Sequence, residues 1–69
     1  MRVPVNSTNI LSIGYDKASQ MLEVEFNTGR VYRYSNVPPH VYASLMKSKS
    51  HGKYLLTYIS NNYSQSEVT

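Results

Sequence analysis

The run Met21-Leu22-Glu23-Val24-Glu25-Phe26-Asn27-Thr28-Gly29-Arg30-Val31-Tyr32-Arg33-Tyr34 reads as a complete β-hairpin. Leu22, Val24 and Phe26 alternate with polar residues, the period of a strand with one buried face. Asn27-Thr28-Gly29 is a three-residue connection. Glycine in its last position suits a type I turn closed by a G1 bulge, because it tolerates the left-handed conformation there. That turn fixes the register. Phe26 faces Arg30, Val24 faces Tyr32 and Leu22 faces Tyr34, so Tyr32 and Tyr34 share the apolar face. On the other face Glu23 falls opposite Arg33, an opposite-charge pair that supports the same alignment. A two-residue loop would shift the pairing by one and turn both tyrosines to water.

Upstream, Thr8 to Tyr15 suits another strand, ended by the turn Asp16-Lys17-Ala18-Ser19. Downstream the period changes. Val37-Pro38-Pro39 opens a short helix, since proline is accepted in a first turn where its missing N–H costs nothing. Val41, Tyr42 and Leu45 follow at helical spacing, with His40 expected at the surface of the first turn. Lys47-Ser48-Lys49-Ser50 ends this helix, and Ser50 is a natural N-cap for a second. Tyr54, Leu55, Tyr58 and Ile59 form its apolar stripe, and Asn61-Asn62 signals its end. The expected architecture is α+β: a three-stranded antiparallel β-meander followed by two helices packed on one face of the sheet. Residues 7–63 form the domain, with 1–6 a leader and 64–69 a flexible tail.

Sixty-nine residues make one domain at most. A chain of this size buries only about 60% of its unfolded surface, so the core is thin and self-association into a homo-oligomer would add buried area. No cysteine is present, so there is no disulfide staple and no thiolate metal site. No segment approaches the ~18 consecutive apolar residues of a membrane span. Residues 1–6 lack the apolar core of a secretory signal, and a cytoplasmic location without membrane contact is expected.

The formal net charge is +3, unevenly spread. Asp16, Glu23 and Glu25 lie in the first third, and the next acid is Glu67. Between them Arg30, Arg33, Lys47, Lys49 and Lys53 have no carboxylate to offset them. A one-signed stretch of this kind attracts anions, although a basic face also serves solubility. Its densest part, Lys47-Ser48-Lys49-Ser50-His51-Gly52-Lys53, sits where the second helix begins. Free amides, lysines, His51, the Ser50 hydroxyl and the missing side chain of Gly52 could together hold a phosphate; an ordinary capped turn has the same composition. The spacing is not that of a Walker A loop. On the sheet, Arg33 points to the open face as a further anion contact. Tyr32 and Tyr34 are core residues with hydroxyls at the rim, or else stacking partners for bases.

Catalysis finds little support. A Ser-His-Asp set can be assembled on paper, but no local signature accompanies it. Two histidines eleven positions apart, without cysteine, do not make metal-ligand spacing, and no cofactor is implied.

The ordered series Ile10, Ile13-Gly14-Tyr15-Asp16, Leu22-x-Val24-x-Phe26-x-x-Gly29, Tyr32-x-Tyr34, Val37-Pro38, Tyr42, Leu45, Ser50-x-Gly52-x-Tyr54 and Ile59 resembles the KTSC domain family. That family occurs at the C-terminus of some lysyl-tRNA synthetases and as stand-alone proteins of bacteria and phages. The resemblance implies a non-catalytic module that binds RNA. Leu55 and Leu56 stand where the family usually has an aromatic residue and then asparagine, and Ser48 stands where a small apolar residue is usual. Beside RNA, two other functions fit the sequence: capture of a phosphorylated small molecule such as a signalling nucleotide, and protein interaction through a strand edge or the Tyr63 end of the second helix.

Overall fold

The computed structural model describes residues 2–5 and 7–68. Five strands form one sheet: β1 (Arg2–Pro4), β2 (Ile10–Asp16), β3 (Met21–Phe26), β4 (Val31–Tyr34) and β5 (Gln65–Glu67). They lie side by side in chain order, each antiparallel to its neighbour. Between β4 and β5 the chain makes α1 (Pro39–Lys47) and α2 (His51–Tyr54), and α2 runs directly into a π-helical turn (Leu55–Ile59).

The central hairpin has the expected register. Leu22 pairs with Tyr34, Glu23 with Arg33 and Val24 with Tyr32. The turn closes through Gly29 N–H to the Phe26 carbonyl and Phe26 N–H to the Arg30 carbonyl, both 2.9 Å. Gly29 has φ +91°, and a Cβ there would meet nothing within 4 Å. The demand for glycine is therefore a backbone demand, not a matter of space. Gly29→Val is expected to cost about 1–2 kcal/mol, the left-handed penalty for a side-chain-bearing residue, read as a lower denaturation midpoint. An unchanged midpoint would show that the turn relaxes into another type.

The sheet has five strands, not three. β1 falls in the expected leader and β5 in the expected tail, and the reason lies in what holds them. All of β5 is exposed, so no apolar pattern marks it. It is fixed by pairing to β4 and by flanking bonds, Ser35 N–H to the Ser64 carbonyl and Val68 N–H to the Val31 carbonyl. β1 likewise pairs Arg2, Val3 and Pro4 with Gly14, Ile13 and Ser12. Proline in such a position is tolerated on an edge strand, where its missing donor faces away from the ladder.

β2 carries a bulge between Ile10 and Ser12. Ile10 and Ile13 both point inward although three apart, which plain alternation forbids. The extra residue, Leu11, is left 50% exposed. The Asp16 carboxylate organises the next turn by accepting from Ala18 N–H and the Ser19 hydroxyl.

One face of the sheet and the helical layer bury each other. Ile10, Ile13, Leu22, Val24 and Tyr34 pack with Val37, Leu45, Leu55 and Ile59. Tyr15 stacks on Tyr42 at 4.5 Å and donates its hydroxyl to the Val37 carbonyl at 2.6 Å, joining sheet to α1. The opposite face carries an ionic row. Glu23 accepts from Arg33 at 2.9 Å and from Arg2 at 3.0 Å. Gly14 stands between Arg2 and Glu23 in that row, so no intervening side chain separates the pair.

Candidate functional site

The corner between α1 and α2 is pinned by one carbonyl. Leu45 O accepts from Ser48 N–H at 3.2 Å, from the Ser48 hydroxyl at 2.7 Å and from His51 Nδ1–H at 2.8 Å. Ser50 is the N-cap of α2, its hydroxyl oxygen accepting Lys53 N–H at 3.3 Å. Ser48 and His51 are thus spent on holding the corner, and one first-turn amide already has its partner. Ser50 keeps its hydroxyl hydrogen as a donor to something outside.

That rigid corner positions the lysines. Lys47, Lys49 and Lys53 are all exposed. The ion pairs among the described residues take up Arg2, Arg30 and Arg33 and involve no lysine. Lys49 and Lys53 come together in a groove of about 370 Å³ with Ser48, Ser50, Tyr54, Thr57 and Tyr58. Ser50, Lys53, Tyr54, Thr57 and Tyr58 recur at helical spacing, one flank of α2 and the π turn. A second groove of about 250 Å³ adjoins it, lined by Ser7, Thr8, Lys49, Ser50 and His51. Among the described residues no carboxylate lines either groove. Lys47 lies outside both and sits in the last turn of α1, where its charge complements the helix dipole.

Tyr54 and Tyr58 add an aromatic surface. Their rings lie 4.7 Å apart at a tilt of 44°, with Tyr54 half-buried and Tyr58 55% exposed. Sequence reading placed both in the buried stripe. Burial instead follows Leu55 and Ile59, which are fully enclosed, and the tyrosines form its flank. The signal was present in Lys49–Lys53, Lys53–Thr57 and Tyr54–Tyr58, three pairs four apart. Ser7 and Thr8 gave no signal, because the loop before β2 meets the corner only in the folded chain.

The remaining candidate residues lie elsewhere. Arg33 is on the opposite face of the sheet, bound to Glu23, and does not join the lysines. Tyr34 is 1% exposed and inside the core, so it cannot stack on a ligand. Tyr32 is half-buried and meets Phe26 edge-on at 5.7 Å. With Asn9, Gly52, Leu55 and Leu56 it lines a separate apolar groove of about 360 Å³ beside the hairpin tip. Gly52 belongs to that groove: a Cβ there would stand 3.5 Å from Asn9 Nδ2. It is buried against the loop before β2, at a distance where a Cβ would make ordinary contact. Among the described residues no group of three or more His, Cys, Asp or Glu could hold a metal, and no helix is long and apolar enough to cross a membrane.

The KTSC domain model matches residues 6–63. The chain belongs to the KTSC domain family. A KTSC domain protein of Yersinia pestis, solved as a crystal structure, superposes on the whole of this KTSC chain and 97% of its own, with a TM-score of 0.93 and 34% identity. An uncharacterized protein of Stutzerimonas stutzeri is 45% identical over 53 residues, covering 77% of this chain and 75% of its own. A lysine–tRNA ligase of Nostoc punctiforme is 33% identical over 54 residues, 78% of this KTSC chain but 10% of the ligase. Of the three departures from the family pattern, Ser48 holds the corner through the Leu45 carbonyl, and Leu55 is in the core at 1% exposure. Leu56 is 65% exposed on the rim of the apolar groove.

Proposed function

We propose that this KTSC domain is a non-catalytic RNA-binding module whose contact surface is the flank of α2. The observation that carries the reading is the groove in which Lys49 and Lys53 meet the Tyr54–Tyr58 pair, with no ion-pair partner and no acid beside them among the described residues. Positive charge supplies attraction to the phosphate backbone, and exposed aromatic rings supply base contacts. The four acids are held away from it. Asp16 ends β2 and caps the turn that follows, Glu23 and Glu25 lie on the far face of the sheet, and Glu67 is on β5 beside Arg30. The likeness to one tenth of a lysine–tRNA ligase supports the same reading, since that enzyme by its name acts on a tRNA.

Titration of transfer RNA into the protein over a series of salt concentrations tests it. Two to three lysine–phosphate contacts predict a log–log salt slope of about −1.4 to −2.7, bounded by the single-strand and duplex values per contact. Absence of binding at low salt, or binding insensitive to salt, would overturn it. The size of the groove favours a second reading, since about 370 Å³ lies within the ~300–1,000 Å³ typical of small-ligand sites. On that reading a phosphorylated small molecule occupies the same residues. A thermal shift with nucleotides but none with RNA would select it.

A further inference from the structure

Resting on the RNA reading above, we infer that the α2 flank takes an unpaired strand, with one base on Tyr58 and the chain continuing past Lys49 into the adjoining groove. A duplex presents backbone and base edges, because its base faces are stacked on one another; a ring offered face-outward gains most from a base that is free to stack. Tyr58 offers the most open ring of the groove, 55% exposed, with Tyr54 beside it at 4.7 Å and a tilt of 44°. Its position is set by the end of the helical segment. Ser60 N–H donates to the Leu55 carbonyl at 2.8 Å, and the Asn62 side-chain amide donates to the Tyr58 carbonyl at 2.8 Å. A platform fixed before binding loses less freedom on binding.

The two grooves decide between a strand and a lone nucleotide. Both include Lys49 and Ser50, so they meet at a positive charge and a free hydroxyl hydrogen. A base on Tyr58 puts its phosphate at that junction. The next nucleotide then lies along Ser7, Thr8 and His51, all neutral or cationic groups. A free mononucleotide would fill one groove and leave the other unused.

Fluorescence anisotropy with a short labelled single-stranded RNA, the same strand annealed to its complement, and a mononucleotide competitor tests this at one salt concentration. The single strand is expected to bind at least tenfold more tightly than the duplex and to resist the mononucleotide. Tyr58→Ala is expected to lose about tenfold for the single strand, and Tyr58→Phe to retain binding because the ring remains. Equal affinity for duplex and single strand, with Tyr58→Ala unchanged, would overturn the inference and leave the RNA reading standing. Displacement by the mononucleotide at matching affinity would overturn it in favour of the small ligand. No binding of either RNA would overturn both.

Discussion

The double variant Lys49→Glu/Lys53→Glu is expected to lose RNA binding by a hundredfold or more at low salt while folding at least as well as the parent. Each lysine that neutralises a single-strand phosphate contributes about −0.7 to the salt slope, so removing both should shrink the slope by about 1.4. Reversal does more than removal: each exchange shifts the charge by two units, which turns the formal net charge of +3 negative. Neither lysine joins an ion pair among the described residues, and both are exposed. Stability should therefore be governed by helix-end effects. Here the substitution helps, because Ser50 is the N-cap and Lys53 stands three residues later. Glutamate at that place completes a capping box and sits favourably in the positive end of the helix dipole. Anisotropy measured beside thermal melts separates binding from folding. Undiminished affinity in a folded double variant would remove the lysine groove from consideration.

Tyr34→Ala is expected to remove most of the protein's stability and leave it at the edge of unfolding at room temperature. Tyr34 is among the largest fully buried side chains, at 1% exposure, and pairs across the hairpin with Leu22 in the centre of the core. Truncating a buried aromatic residue typically costs about 3–5 kcal/mol. A domain of this size has a total stability at the low end of the ~5–15 kcal/mol range. Burial pushes the Tyr34 hydroxyl above the usual tyrosine range, an effect partly offset by its hydrogen bond with Ser60. Tyr34→Phe keeps the ring and loses only that bond, a cost of about 1 kcal/mol. Circular dichroism and urea denaturation of the two variants give the comparison. A folded Tyr34→Ala protein with near-parental stability would show that the helical layer can collapse into the space.

The hairpin register was legible because three local signals agreed: the apolar alternation of Leu22, Val24 and Phe26, the position of Gly29, and the Glu23–Arg33 pair. The same pairing also bears on function. A register that sets Glu23 opposite Arg33 also places a carboxylate within reach of that guanidinium, and the 2.9 Å ion pair between them leaves Arg33 committed to Glu23. The Ser50 cap was legible for the same local reasons. β1 and β5 were not, since edge strands held by main-chain bonds need no apolar period. Nor was the π turn: Leu55–Ile59 contains no glycine or proline to mark a widened coil, and its sequence is equally that of an α-helix. At the site, the lysines could be read from charge spacing. Their separation from Lys47 is set at the corner pinned by the Leu45 carbonyl, and the partnership of Ser7 and Thr8 with Lys49 depends on contact between segments distant in the chain.

The order of the strands also bears on how the domain assembles. β1 to β4 each pair with the strand just before or after them, so most of the sheet can zip up through short closures, the pattern that speeds folding. β5 alone must wait, because its place beside β4 is reached only after α1, α2 and the π turn have been threaded between them. Its amides are expected to exchange with solvent faster than those of β3, through a partial opening that releases the last strand and leaves the hairpin core intact.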